Sequence, residues 1–365
     1  MGRNHVKNML LLGSTGAVGQ SCLDVLTRRG DASLVIAGRD EARLREAASG
    51  IHANVEIAPL DIADASAVSV AVGHCDVVIN CAGPSQRFSA DVASAAIAAG
   101  VPYVDPGGDH TLLHRLAAPG TRVPVVLQAG AQPGLSGLLL RVFALHRPDR
   151  IDSVTAWCGG LQQLTTASVL EYVASLYSTN SHPGAVLRDG VIRRGSHDEC
   201  EPAPPQYFPD PVMVRPHLDA ETIAVAADLG IGSISWMNVF DGVHTTRAMQ
   251  LLAVGGERPR GQAELAPVLA AAKLDLFGRQ PYFSIVARAH GSVGTTTVAF
   301  SCPDSYRITG ALTAFAAQHV ASMPAGAQPF WSIDEPQRAL DFLTETVPEA
   351  ELSLVDDSMI EEGTL

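Results

Sequence analysis

The chain has 365 residues, 47% of them hydrophobic and 17% charged, and carries a formal net charge of −13. That is ample apolar sequence for two domains with separate cores and too much for a disordered chain. The acidic balance, with no basic patch, argues against a nucleic-acid partner, and no run of about 18 apolar residues is present to span a bilayer.

Residues 1–7 do not lead into the apolar core of a signal peptide, so a cytoplasmic protein is expected. Cys22, Cys75, Cys81, Cys158, Cys200 and Cys302 are scattered with no C-x-x-C pair, and the histidines show no H-E-x-x-H spacing. No metal cofactor is expected, and the cysteines read as small buried hydrophobes, Cys81 being the one near the expected site.

Residues 10–20 read as a buried strand turning through three glycines into a helix. Gly13 allows a tight turn, Gly16 lets the backbone approach a phosphate, and Gly19 lets the helix sit close on its strand. With Ser14, Thr15, Ala17 and Val18 between them, these residues offer first-turn amides and a helix dipole to a pyrophosphate. Residues 33–37 form the second strand, whose tip selects the dinucleotide. An acidic tip would take the ribose hydroxyls of NAD, but here Gly38 is followed by Arg39, and a planar guanidinium suits a 2′-phosphate. NADP(H) is the expected cofactor. The plainer reading makes Arg39 a solvated charge paired with Asp40 or Glu41.

Residues 41–49 read as an amphipathic helix with Leu44 inward, and 55–58 as a third strand. Asp61 after it either accepts from the adenine amine or caps a helix starting near Ala63. A fourth strand at 75–81 has the unbroken apolar character of a strand covered on both faces and ends in Ala82, Gly83 and Pro84. A small-residue helix over 89–99 stops at Gly100. A short strand at 101–105, a break at 106–110 and another strand at 123–128 follow, opening onto the loop around Gly130 and a helix at 135–146. This alternation predicts a parallel sheet of roughly six strands.

Beyond Arg150 the texture changes. Residues 151–158 alternate like a strand with one exposed face, 166–177 read as a helix, and 282–289 with 295–300 form a long hairpin. The expected fold is α/β: a Rossmann-type doubly wound parallel sheet over 1–135, then an α+β domain on a mostly antiparallel sheet over 136–305. A helical segment over 306–365 is expected to pack back on the first domain. The apolar hairpin is a candidate dimer sheet, so a homodimer is expected.

Four linked motifs carry a family resemblance: Gly13-x-x-Gly16-x-x-Gly19, Asp76-Val77-Val78-Ile79-Asn80-Cys81-Ala82-Gly83-Pro84, Ala96-Ile97-Ala98-Ala99-Gly100-Val101-Pro102-Tyr103-Val104-Asp105, and Ala131-Gln132-Pro133-Gly134-Leu135-Ser136-Gly137. In this order the chain resembles the saccharopine-dehydrogenase-like NADP-binding reductases over its first ~150 residues, each motif lying at a strand end facing the cofactor crevice. The resemblance implies chemistry on carbon-nitrogen bonds or, in other relatives, reduction of carbon-carbon double bonds. One similar branch reduces an assembly-line-bound thiazoline to a thiazolidine in pyochelin-type siderophore synthesis. It implies an imine substrate, free or tethered to a carrier protein, and transient contact with a peptide synthetase.

The strand ends at Cys81 to Pro84, at Asp105 to His110 and at Gly130 converge where a nicotinamide would lie. An unperturbed histidine titrates near neutrality, so His110 suits a proton donor oriented by Asp109 or Asp105. Equally, Asp109 caps a helix starting near Thr111 while His110 packs. Tyr172 is the second candidate donor, with Tyr177 and His182 behind it. Two other functions compete: a dehydrogenase of a free saccharopine- or carboxynorspermidine-type metabolite, which needs clustered cations such as Arg188, Arg193, Arg194 and Arg215, and a non-catalytic NADP(H) sensor.

Overall fold

The computed structural model describes residues 7–30, 32–117, 120–147, 149–196, 200–209, 211–254 and 262–356. The expectation about residues 1–7 falls almost wholly outside them, as does the end of the 306–365 segment from residue 357 on. The described residues fall into two units, one running to Leu135 and resuming over Tyr306–Val347, the other comprising Ser136–Ser305 and the residues from Pro348.

The first unit alternates strand and helix: β1 (Lys7–Leu12), α1 (Ala17–Arg29), β2 (Ala32–Gly38), α2 (Glu41–Ala48), β3 (Val55–Pro59), α3 (Ala65–Val72), β4 (Val77–Asn80), α4 (Ser85–Ala99), β5 (Tyr103–Val104), α5 (His110–Leu116) and β6 (Pro124–Leu127). The strands are unbroken apolar runs because both faces are covered; Leu10, Leu11, Leu12, Val78 and Ile79 are all buried. Helix ends follow local chemistry. Asp40, Asp64 and Asp109 accept from first-turn amides of α2, α3 and α5, and α4 ends at Gly100 in the left-handed region.

The second unit opens within α6 (Leu135–His146) and continues through β7 (Ile151–Leu161), α7 (Thr166–Leu176), β8 (His182–Pro183), β9 (Ala185–Arg188), β10 (Val191–Arg194), β11 (Met213–Leu218), α8 (Ala220–Leu229), β12 (Ser233–Phe240), α9 (Val243–Val254), α10 (Gln262–Asp275), β13 (Tyr282–Gly291) and β14 (Gly294–Cys302). The chain then supplies α11 (Ser305–His319), β15 (Gly326–Pro329) and α12 (Pro336–Thr346) to the first unit, and β16 (Glu351–Asp356) to the second.

In the first unit seven parallel strands lie in the order β15-β6-β5-β4-β1-β2-β3. The order reverses between β4 and β1, and such a switch point opens a ligand crevice at the carboxyl ends of the strands. The seventh strand, β15, was not expected; its sequence, Gly-Ala-Gln-Pro, has no strand character of its own. In the second unit the main path is β10-β9-β12-β7-β13-β14-β16, with β11 pairing β12 and β8. Only β7 and β12 run parallel, and the rest of the sheet is antiparallel. The expected fold class is therefore the observed one. Residues 351–356, expected within a helical segment, are instead a strand on β14.

Among the described residues no helix is long and apolar enough to cross a membrane, and no group of three His, Cys, Asp or Glu is placed to hold a metal.

Candidate functional site

The glycine junction lies at the switch point. Gly13 has φ +75°, and a Cβ there would come within 2.6 Å of the Ala82 amide nitrogen on the neighbouring strand end. A Cβ on Gly19 would fall 2.1 Å from the Gly13 carbonyl, so α1 can sit this close to β1 only with glycine. Gly16 differs: it is exposed, and a Cβ there would meet only the Gly13 carbonyl at 3.3 Å. Gly13 and Gly19 thus make room for backbone, while Gly16 faces outward.

Helix α1 begins at Ala17 with Gly16 as its cap residue, no side-chain cap and no acidic residue in the first turn. Helix geometry leaves the amides of Ala17, Val18 and Gly19 without intrahelical partners. The cradle and the uncapped positive end fit a dinucleotide pyrophosphate. Ser14, expected to face the phosphates, is fully buried beneath the loop, and its Oγ has no hydrogen-bond partner among the described residues. Thr15 is held through its carbonyl, which accepts from Arg43 Nη2 at 2.8 Å. Arg43 went unnoticed in the sequence because the link depends on where α2 lies over the loop.

Arg39 is exposed just beyond β2. The plainer pairing is not what forms: Asp40 accepts from the amides of Ala42 and Arg43, and Glu41 pairs with Arg45. Asp61 is not the helix cap either. Its carboxylate accepts from the Ala63 amide at 3.0 Å in a local turn, and Asp64 caps α3, because Pro59 to Asp64 takes one more turn than the sequence suggests.

Across the switch point a buried polar cluster fixes the ends of β4 and β5. Asn80 Nδ2 donates to Asp105 Oδ2 at 2.9 Å and to the Tyr103 hydroxyl at 3.0 Å, and that hydroxyl donates to Asp105 Oδ2 at 2.5 Å. Asn80 Oδ1 accepts from Ala82 N, and Asp105 Oδ1 accepts from Gly107 N at 2.7 Å. Burial pushes the Asp105 carboxyl above its ordinary value and the Tyr103 phenol well above its own. The signal for this cluster was a polar residue closing each of two apolar strands. Cys81 donates its amide to Leu12 O, and the neighbouring Cys22 thiol and burial push its own thiol up, so it packs as a neutral thiol. Gly83 is exposed, and Pro84 precedes α4, which like α1 has no side-chain cap and no acidic first turn.

Asp105 does not orient His110. Asp109 caps α5, accepting from Leu112 N at 2.7 Å, and His110 Nε2 lies 2.7 Å from His114 Nε2 one turn along. Partial burial and the second imidazole hold His110 below its ordinary value. Gly130 is buried rather than open, with its carbonyl accepting from Leu135 N. Its loop is clamped from α11: Ala131 N donates to Thr309 Oγ1 at 3.2 Å, and Thr313 Oγ1 donates to Ala129 O at 3.0 Å. Gln128, at φ 63°, begins that loop in the left-handed region.

Tyr172 belongs to the second unit. Its phenol lies against Asn238, its ring meets Phe240 edge-on at 5.8 Å, and burial pushes its pKa up to about 12. Tyr177 is at the surface of the same unit, and His182 neighbours His217, which is hydrogen-bonded to Ser181. The four arginines do not gather. Strand register puts Arg188 and Arg193 on one face of the sheet and Arg194 and Arg215 on the other.

A Gly-rich strand-turn-helix at the switch point of a seven-stranded parallel sheet defines a dinucleotide-binding domain. Residues 9–122 match the model of the saccharopine dehydrogenase NADP binding domain, and the nucleotide of this domain is NADP(H). The fold of the whole chain is similar to that of apo saccharopine dehydrogenase (L-Glu forming) from Saccharomyces cerevisiae, with a TM-score of 0.66 at 17% identity, covering 96% of this chain and 100% of that one. A putative trans-acting enoyl reductase of Mycobacterium tuberculosis is 29% identical over 221 residues, 54% of this chain and 52% of its own. A trans-acting enoyl reductase of Mycobacterium leprae is 26% identical over 197 residues, 49% of this chain and 47% of its own. The chain spans about half the length of these curated relatives.

Proposed function

We propose that the protein is an NADPH-dependent reductase acting on a polarised double bond. The observation that supports this most directly is the exposed Arg39 beside the glycine junction, with both neighbouring carboxylates engaged elsewhere. When bound, NADPH supplies a hydride. The chain's own part is to hold the pyrophosphate on the α1 amides and Thr15 loop and the 2′-phosphate on Arg39. Asp61, Cys81 to Pro84 and the Gly130 loop shape the crevice from the other strand ends.

The names of the mycobacterial relatives favour the C=C bond of an enoyl group as substrate. The family resemblance offers a second reading, the C=N bond of a thiazoline or related imine in a siderophore-type pathway, either free or tethered to a carrier of a peptide synthetase, although no residue's chemistry demands a thiazoline. Either reduction needs a proton at the atom beside the one that takes hydride, and His110, with Asp109, and Tyr172 are the proposed donors. A free metabolite bearing several carboxylates is the weaker reading, since the arginines it would need divide between two faces. A non-catalytic sensor remains the contrast case.

The test is NADPH oxidation by the purified chain against a crotonyl pantetheine thioester and a 2-aryl-thiazoline, and NADP+ reduction against saccharopine, an amine that can only give up hydride. Turnover of the first supports enoyl reduction and turnover of the second imine reduction. NADPH binding with no turnover of any of the three overturns the reductase reading in favour of the sensor.

A further inference from the structure

One face of the second unit's sheet carries Trp157, Val286 and Ala299 and is covered in part by residues of the 200–214 segment. Beside that cover lies a cleft of about 310 Å³, at the small end of the range for small-molecule sites. Its floor is set by strand register: Arg288 stands opposite Thr297, Thr297 opposite Val355, and His290 opposite Thr295, all on one face. Gln206 and Tyr207 form the wall.

Arg288 is the only charged residue of this lining other than the titratable His290. Its guanidinium carbon lies 5.1 Å from the centre of the buried Trp157 ring, a stacking contact that orients the planar fork. It has no hydrogen bond or ion pair with any described residue. Glu201 reaches the same face, but its carboxylate accepts from Thr155 Oγ1 at 3.1 Å and its carbonyl from Trp157 Nε1 at 3.1 Å. His290 Nδ1 is engaged with Thr295 Oγ1 at 2.8 Å, which fixes the imidazole and leaves Nε2 to another partner. A half-buried guanidinium stacked on one side and unpaired along its edge is suited to an oxyanion, which it meets through two parallel charge-assisted hydrogen bonds. The Tyr207 ring and Val355 add apolar surface for an organic body.

We infer that this cleft binds a small organic molecule by an oxyanion head group, a carboxylate or a phosphate, seated on Arg288 with His290 and the threonine hydroxyls beside it. The site lies wholly within the second unit and does not depend on the reductase reading.

Calorimetric titration tests this with the full chain saturated with NADP+, so that the α1 amides are already occupied. Inorganic phosphate and benzoate are titrated separately, and the arm that binds identifies the head group. At least one is expected to bind at a single site in the millimolar range, with affinity weakened tenfold or more in Arg288→Gln and unchanged in the surface control Arg338→Gln. Should Arg288→Gln melt well below wild type, Arg288→Lys keeps the charge and loses the fork, and a several-fold weakening is expected there. The inference is overturned if neither anion binds with NADP+ present, or if the Arg288 variant that folds binds as wild type does.

Discussion

Two of the places where glycines are pressed by neighbouring backbone, one in each unit, have different consequences. At the start of the first unit, a side chain on Gly13 or Gly19 would strike the Ala82 amide or the Gly13 carbonyl. In β7 of the second unit, a Cβ on Gly159 would fall 1.9 Å from Val239 O, and one on Gly160 would fall 2.2 Å from Tyr282 O. Both sites are backbone pressed on backbone, but only the first ends in an uncapped helix whose amides face outward. Crowding by itself marks packing, whereas crowding beside unsatisfied donors marks a binding site.

The sharpest way to break that comparison is a pair of alanine substitutions. Gly19→Ala should lower NADPH affinity by about 100-fold or more and lower Tm, since overpacking against backbone costs about 1–3 kcal/mol and occasionally more. Gly159→Ala should lower Tm comparably while leaving the NADPH dissociation constant of the folded protein unchanged. Thermal melts with NADPH fluorescence titrations check both. Equal loss of affinity in the two variants would remove the distinction.

The first unit was legible because its information is local. Strand-turn-helix spacing, Gly100 at a helix end and aspartates before helices are each read within a few residues, and the observed elements follow them closely. What stayed hidden depends on distant pairing. Thr309 and Thr313 reach the Gly130 loop from the far end of the chain, Arg43 meets Thr15 only once α2 is placed, and β15 is a strand because β6 offers it an edge. In the second unit nearly everything is of that kind. Residues 151–158 read correctly as a strand, but the crowding at Gly159 and Gly160 comes from β12 and β13, and Asn238 beside Tyr172 carries no motif. Local motifs accordingly marked the loop expected to hold nucleotide, whereas the expected proton donors carry no motif of their own.

The proposed donors from the two units separate by pH. Of His110→Ala and Tyr172→Phe, only the variant that removes the general acid should lose about 10² in turnover, with little change in NADPH binding. His110 is held below 6.5, so a rate that depends on its protonated form falls as pH rises through a value under 6.5. The Tyr172 phenol stays protonated until about 12, so a rate that depends on it stays flat through neutrality. Steady-state rates across pH decide between them.

A smaller effect, about 10- to 100-fold, is expected for Arg39→Ala on the Michaelis constant for NADPH, the size of one or two lost charge-assisted hydrogen bonds. The constant for NADH should hardly move. Equal changes for both dinucleotides would take Arg39 out of the 2′-phosphate site.

The smallest effect contrasts two carboxylates, one in each unit: the half-buried Asp149 and the buried Asp105. Arg147 grips Asp149 through Nε and Nη2, each at 2.9 Å, and ties it to β14 through Thr296 Oγ1 and the Gly294 carbonyl. The Arg147 guanidinium, with the Val293 amide, holds the Asp149 carboxyl at about 2, below its ordinary 3.8. Its stabilisation is therefore complete above about 4 and is lost as pH falls toward 2. Asp105 has the opposite sign, because burial raises its carboxyl and acid favours its folded, protonated form. Between pH 4 and 2 the amides around Val293 in the β13–β14 turn should lose protection from hydrogen exchange before those of β4 and β5 in the first unit. Asp149→Asn should make that turn's protection low and nearly independent of pH over the same interval. Simultaneous loss in both places would mean that acid acts on the chain as a whole and not through this ion pair.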